Sequence, residues 1–362
     1  MLTINSNAKN HESLKQRLDS LLNATYAPDA PGVSLLIAKD GVAVYEGSNG
    51  IADVTTKEKI DGNTAFNIAS ISKQFTAVAA LKMEEDGIIN LNESVAKYFP
   101  EFKNKMWQNI KLWHLLSHCS GIPDSRPRSN RDFTLYATDE QSIEYMQYLD
   151  SLKFSPGTYY DYINPTFDLF YVLVTRCCGI GFEDYQKSTI FDVAKMDNVQ
   201  YFSPDKHISH MAHGYIENEE SKEWKEYDYG EETFFATKAD GGIYTTTRNF
   251  LKWENALADG RIISLSQLKK AYTKHIKVSG SQYCDYQNRP NTWYGLGWFI
   301  DENFDGDTKI YHTGDNGGFQ AYAAKYIKNK VNVIMFENRN DIDRWPMQLN
   351  IERILKEEGV LQ

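Results

Sequence analysis

Between Glu12 and Thr25 the leucines at 14, 18, 21 and 22 recur at the spacing of one helix face, which predicts an amphipathic helix over 12–25. Two short apolar runs, 33–38 and 42–45, flank Lys39-Asp40-Gly41 and read as a β-hairpin. After a polar stretch, Ser70 to Glu85 forms an Ala-rich apolar run closed by Asp86-Gly87, the pattern of a buried helix with its stop signal. Helical spacing then dominates from 88 to 230, interrupted by Pro and Gly, and the polar stretches 122–135 and 216–232 read as surface loops. The last third turns to short apolar or alternating runs at 293–300, 310–313, 321–327 and 331–336, divided by Gly, Asn and Asp, and these predict strands. Strands at both ends with helices between predict an α+β fold, an α/β sandwich. Its antiparallel sheet would be assembled from the N- and C-terminal segments and flanked by helices, with a mainly helical lobe inserted. The expected organisation is a single unit over 1–362, with an α/β lobe at about 1–85 and 240–362 and the helical lobe at about 86–239. No internal repeat or low-complexity tract interrupts this pattern.

Composition narrows the picture modestly. Hydrophobic residues make up 41% and charged residues 24%, as in ordinary globular proteins, and 23 Tyr, 18 Phe and 7 Trp supply large rings for a core. The formal net charge of -10 sets the chain against phosphate backbones and anionic lipid, so neither nucleic acid nor a membrane surface is an expected partner. No run approaches the roughly 20 apolar residues that span a bilayer. The segment MLTINSNAKNHESLKQRL lacks a basic region followed by an apolar one, so the chain as given carries no signal peptide. That pattern fits a cytoplasmic protein, or an extracytoplasmic one whose leader was removed before Leu2, and leaves the compartment and the oligomeric state open. Cys119, Cys177, Cys178 and Cys284 form no C-x-x-C pair and are expected to be free thiols.

The chemistry begins with Ser70-Ile71-Ser72-Lys73. Serine needs a base within hydrogen-bond reach, and residues at i and i+3 share a helix face, so Ser-x-x-Lys sets an amine beside a hydroxyl. To act as that base, the amine must fall from about 10.4 by roughly 3 units, about 4 kcal/mol against the ammonium. Burial and the positive end of the helix both act in that direction. The spacing alone is weak, because Ser6/Lys9, Ser94/Lys97, Ser203/Lys206 and Ser266/Lys269 share it. Only Ser70 opens an apolar, Ala-rich helix that would desolvate its lysine. A second element, Phe154-Ser-Pro-Gly followed by Tyr162-Ile-Asn164, offers a phenol for proton relay and a carboxamide to hold a substrate amide. Tyr286-Gln-Asn288 repeats the spacing without the Pro-Gly turn and reads as loop. A third element, His312-Thr313-Gly314-Asp315 at a strand end, lets a substrate lie along the strand edge beside the glycine. The Asp315 N–H could then join that of Ser70 in an oxyanion hole.

In this order and spacing, the three elements resemble the serine β-lactamase and penicillin-binding protein superfamily. The likeness is greatest to the class C β-lactamase-related branch, which also holds D-Ala-D-Ala carboxypeptidases, esterases and D-amino-acid amidases. Asp86–Asn92 with Lys97–Phe102, His114–Pro123, Gly241–Thr247 and Tyr294–Trp298 extend the resemblance over about residues 30–340. It implies a β-lactamase/transpeptidase-like fold, Ser70 as the acylated nucleophile, Lys73 as its base and Tyr162 sharing proton transfer. It also implies that Asn164, His312, Thr313 and Gly314 bind a small-molecule or peptide substrate, with no metal or organic cofactor. In lactamases and carboxypeptidases the third element usually begins with Lys. His312 offers one hydrogen bond and carries charge only below about pH 6.5. The resemblance therefore favours a small ester, amide or D-amino-acid peptide over a penicillin. The alternatives are a true β-lactamase, a sensor acylated without turnover, and a scaffold without chemistry. The histidine pair His114/His118 and the triplet His207/His210/His213 lack the carboxylate company of a metal site, and the first is expected to pack beneath the active-site helix.

Overall fold

The computed structural model describes residues 2–127, 129–203, 206–227, 236–283 and 291–362. Helix α1 (Leu2–Thr25) begins earlier than the leucine pattern required and leads to β1 (Val33–Lys39) and β2 (Val42–Asn49). The hairpin between them turns through Asp40 and Gly41, both left-handed at φ 51° and 78°, the geometry that Asp-Gly tolerates best. A two-residue strand β3 (Phe66–Asn67), one 3₁₀ turn (Ala69–Ile71) and α2 (Ser72–Glu85) follow. The helical middle holds α3 (Val95–Tyr98), α4 (Leu112–Leu116), α5 (Arg131–Tyr136), α6 (Asp139–Glu144), α7 (Pro165–Cys178), α8 (Phe182–Gln186) and α9 (Asp192–Ala194). It also carries short strands β4 (Val199–Tyr201), β5 (Tyr215–Glu217), β6 (Trp224–Glu226) and β7 (Ile243–Thr245). The polar stretch after 216, expected to be loop, thus contains an antiparallel pair, with Tyr215 opposite Glu226.

Helices α10 (Thr247–Ala258) and α11 (Leu265–Ala271) lead back to strands β8 (Ile276–Lys277), β9 (Thr292–Tyr294), β10 (Phe299–Phe304), β11 (Asp307–Asn316), β12 (Phe319–Tyr326) and β13 (Val331–Glu337). The chain ends in α12 (Arg344–Glu357). The run 293–300, predicted as one strand, is two. Gly297 takes φ 88° and closes a turn between β9 and β10, and a side chain there would meet Ala77 Cβ at 3.0 Å and the Lys73 carbonyl at 3.2 Å.

The main sheet has the order β2-β1-β13-β12-β11-β10-β9-β8 with every neighbour antiparallel. It is the α+β sheet of N- and C-terminal segments that the pattern predicted. Both of its faces are covered, which is why VSLLIAK is a continuous apolar run rather than an alternating one. Leu35 and Ile37 of β1, with Val333 and Met335 of β13, join Leu14, Leu18 and Leu22 of α1 and Ile351 and Leu355 of α12 in one core. Leu36, Ala38, Ile334 and Phe336 point the other way, into the core of α2 and α10. There Phe75 stacks on Trp253 at 4.0 Å and meets Phe191 and Phe250 edge-on. Cys119, Cys177 and Cys178 are free thiols, while Cys284, Tyr286 and Asn288 lie outside the described residues. Among the described residues, no helix is long and apolar enough to cross a membrane.

Candidate active site

Ser70 does not begin the long helix. It sits on the 3₁₀ turn just before α2, and a small sheet holds that turn in place. β3 pairs with β7 (Phe66 opposite Thr245), Ile68 N–H donates to Ile243 O at 3.0 Å, and Asn67 Oδ1 accepts from Ala69 N–H at 2.7 Å. These bonds hold Ala69 at φ 46°, a left-handed conformation costing a non-glycine residue about 1–2 kcal/mol. From the sheet side, β11 presses against the same turn. A Cβ on Gly314 would lie 2.3 Å from Ile68 O and 3.1 Å from Ala69 Cβ, so only glycine allows the approach.

Lys73, in the first turn of α2, is fully buried. Its Nζ lies 3.0 Å from Ser70 Oγ and donates to Asp240 O at 2.6 Å, and the rings of Tyr162 (5.1 Å) and Phe167 (5.6 Å) flank it. Burial pulls the amine down to about 8; the Asp240 and Asp168 carboxylates oppose that pull and Arg126 adds to it. By contrast Lys97, from another Ser-x-x-Lys match, is largely exposed and pairs with Glu93 at 3.4 Å.

Sequence reasoning did not single out the acids behind Lys73. Asp139, the first residue of α6, accepts from Lys238 N–H (2.9 Å) and Ala239 N–H (2.9 Å), fixing the segment that offers Asp240 O to Lys73. Asp168 on α7 accepts from Ser142 Oγ at 2.5 Å, while its Oδ1 and that of Asp240 are buried without a hydrogen-bond partner. Burial raises Asp139 to about 8 and Asp168 well above the usual carboxylate range. Arg126 belongs to a stretch read as surface loop, yet its side chain is buried and forked onto Asp124 at 2.9 and 2.8 Å.

Tyr162 and Asn164 precede α7, with the Tyr162 ring 4.1 Å from His118 and 6.3 Å from His312. Asn164 stands at the N-cap of α7 without capping it, and its buried Oδ1 has no hydrogen-bond partner. His312 differs from the expectation of an imidazole offered to substrate. The ring is buried, with Nδ1 2.6 Å from Thr313 O and Nε2 2.8 Å from Tyr294 Oη. A carbonyl only accepts, so Nδ1 carries a proton, and Nε2 shares its hydrogen bond with the Tyr294 hydroxyl. Both nitrogens are therefore engaged inside the protein. Asp315 sends its carboxylate to Arg344 of α12, and Arg344 also donates to Gly314 O (3.0 Å) and Ala321 O (3.1 Å). Pairing of β11 with β10 ends at Tyr311 opposite Phe299, whereas pairing with β12 continues to Asn316, so the β10-facing edge of β11 leaves the ladder beside Gly314. His118 was expected to be packing only, yet it lies against Tyr162. Elsewhere, His210 Nδ1 lies 2.9 Å from Glu58 Oε1. Among the described residues, no three His, Cys, Asp or Glu side chains are grouped to hold a metal.

A two-sided antiparallel sheet with this serine turn and its buried lysine at the centre is the architecture of a β-lactamase-type serine hydrolase. The chain belongs to the beta-lactamase family, whose model matches residues 17–349. It is similar to "Penicillin-binding protein 4*" of Bacillus subtilis (strain 168), 26% identical over 321 residues that cover 85% of this chain and 68% of the relative. Among solved structures, the octameric penicillin-binding protein homologue from Pyrococcus abyssi superimposes with a TM-score of 0.77 at 24% identity, covering 99% of this chain and 78% of that one. D-amino acid amidase from Ochrobactrum anthropi SV3, complexed with D-phenylalanine, gives a TM-score of 0.76 at 20% identity, covering 96% and 98%. At those identities the two structures speak for the fold alone.

Proposed function

We propose that this chain hydrolyses a small ester, amide or D-amino-acid peptide through an acyl-enzyme on Ser70, with Lys73 as base and Tyr162 as proton carrier to the leaving group. The observation that carries this is the buried Lys73 amine, 3.0 Å from Ser70 Oγ and drawn down to about 8. Near pH 7 about a tenth of such an amine is neutral, and the neutral form can accept the serine proton. As Ser70 Oγ bonds to the substrate carbonyl, its proton passes to Lys73. The oxyanion is received by the main-chain N–H groups of Ser70 and Asp315. Collapse breaks the bond to the leaving group, which takes a proton through Tyr162. Water then gives a proton back along the same route and its oxygen attacks the acyl carbon, releasing the acid and restoring Ser70. Asn164 Oδ1, unspent on the helix, is suited to a substrate amide N–H, and Thr313 and Gly314 give the strand edge along which it lies. His312 supports this wall through Tyr294 rather than by touching substrate. With both its nitrogens engaged inside the protein it presents no free donor to a penicillin or peptide carboxylate, which favours esters and amides.

The test is a hydrolysis panel of p-nitrophenyl esters, D-amino-acid amides, D-Ala-D-Ala peptides and nitrocefin, run beside Ser70→Ala. The expected outcome is turnover of esters or amides, abolished in Ser70→Ala, with a fluorophosphonate label captured by Ser70 alone. Wild-type rates in Ser70→Ala would sink the proposal, and nitrocefin as the best substrate would replace the ester or amide reading with a β-lactamase.

A further inference from the structure

We propose that His118 is the positioning residue that holds the Tyr162 phenol in line for proton transfer. The inference deepens the reading above and rests on the role given there to Tyr162. Two hydrogen bonds run from His118 to the residues on either side of that tyrosine. Asp161 N–H donates to His118 O at 2.8 Å, and Ile163 N–H donates to His118 Nδ1 at 3.2 Å. The imidazole also lies against the phenol ring, 4.1 Å between centroids with the planes 33° apart. Backbone and ring of Tyr162 are thus fixed by one residue, on a segment that is otherwise loop before α7.

The clamp depends on an unusual backbone. His118 adopts φ 53° just past α4, where its N–H returns to Leu115 O at 3.2 Å. Asn, Asp and His accept this left-handed conformation better than other side chains do, and glycine is the usual occupant. A histidine there is explained by what its ring does. Accepting from Ile163 fixes the tautomer, so the proton sits on Nε2, which is buried without a hydrogen-bond partner. Protonation of Nδ1 would set one N–H against another and open the clamp. Burial holds the imidazole well below its usual range, and the neighbouring Lys73 and His312 act the same way. The remaining groups on the ring are phenols and phenyl: Tyr160 (6.0 Å), Tyr294 (5.1 Å) and Phe167 (5.0 Å). None brings a carboxylate that would favour the cation.

The experiment compares His118→Gly and His118→Asn, both of which accept the left-handed backbone, with Tyr162→Phe as the reference. Each is assayed on acyl esters whose leaving groups range from p-nitrophenol to simple alcohols, and folding is followed by thermal melting. An alkoxide needs a proton to leave and p-nitrophenolate does not, so a misplaced phenol penalises basic leaving groups selectively. In His118→Gly, kcat/KM, which reports acylation, should fall about 10- to 100-fold for alkyl esters and by less than about 3-fold for p-nitrophenyl esters. His118→Asn, whose Oδ1 can take the place of Nδ1, should stay within about 3-fold of wild type across the series. Combining His118→Gly with Tyr162→Phe should be no worse than Tyr162→Phe alone. A steep leaving-group dependence in Tyr162→Phe with a flat one in His118→Gly overturns the clamp while leaving Tyr162 its role. A flat dependence in both overturns the role of Tyr162, and the clamp with it. Loss in His118→Asn equal to that in His118→Gly also overturns the clamp.

Discussion

At Lys73 the balance between burial and nearby carboxylates decides whether the amine is a base or a spectator. Desolvation is the largest influence and lowers it; the Asp240 and Asp168 carboxylates favour the ammonium, and Arg126 and the imidazole of His118 face it without adding negative charge. The neutral amine is the active form, so kcat/KM for a p-nitrophenyl ester should rise with pH along an acid limb whose midpoint is near 8. Asp240→Asn keeps the main-chain acceptor and removes one charge that raises the amine. Its folded-state value must then fall, and the limb should move to lower pH by about one unit. An unshifted limb in a folded variant would mean that Asp240 holds Lys73 only through its carbonyl. Ser70 and Lys73 were legible in the sequence because i, i+3 adjacency is local. Tyr162, Asn164 and the strand at 312–314 were singled out by residue type and turn context, and only the resemblance joined them to Ser70 in one expected site. Asp139, Asp168, Asp240, Arg126 and His118 were not singled out as parts of the site, because their roles come from burial against segments far away in the chain.

Between elements, the site depends on how closely β11 approaches the turn that carries Ser70. The helix predicted from residue 70 begins at Ser72, since Ala69 at φ 46°, its bond to Asn67 of β3 and the bond of Ile68 to Ile243 of β7 tighten the entry into a 3₁₀ turn. Hydrophobic period cannot reveal that entry, because both helix types bury the same residues. Gly314 is where strand and turn meet. Gly314→Ala puts a methyl 2.3 Å from Ile68 O, which is backbone and cannot rotate away. The strand must shift, and we expect about 1–3 kcal/mol of destabilisation in thermal melts. The oxyanion geometry would shift with it, with activity on a p-nitrophenyl ester falling about 100-fold. Retained activity would show that Gly314 serves packing alone. The split of 293–300 into two strands has a similar origin. Alternation marked the segment as extended, but the contacts of Gly297 with α2 require a turn.

For the molecule as a whole, the sheet closes only when the chain's two ends meet, since β1 from the N-terminal side pairs along its length with β13, from Val33 opposite Glu337 to Lys39 opposite Val331. The sequence made this legible, because strand patterns lay at both ends. It gave no sign that a carboxylate would be sealed in the seam. Glu337 is fully buried, accepts from the Tyr26 hydroxyl at 2.6 Å, and is pushed up to about 8 by burial, although that bond and Arg339 pull it down. Between the ordinary carboxylate value and about 8, the unfolded chain has lost this proton while the folded chain keeps it. The folded state therefore binds more protons in that window, and stability must fall as pH rises through it. Glu337→Gln keeps an acceptor for Tyr26 and removes the titration. The buried Oε2 has no hydrogen-bond partner, so the new amide gains none there and some stability is lost at pH 5. The expected result is a variant no more stable than wild type at pH 5 that loses less between pH 5 and 8, by on the order of 1–3 kcal/mol. Asp139 and Asp168, also raised by burial, contribute in the same direction in both proteins, so the difference between the two slopes isolates Glu337. Parallel slopes in denaturant unfolding at the two pH values would mean that the seam carboxylate ionises freely, and that water reaches the junction where the two ends of the chain join.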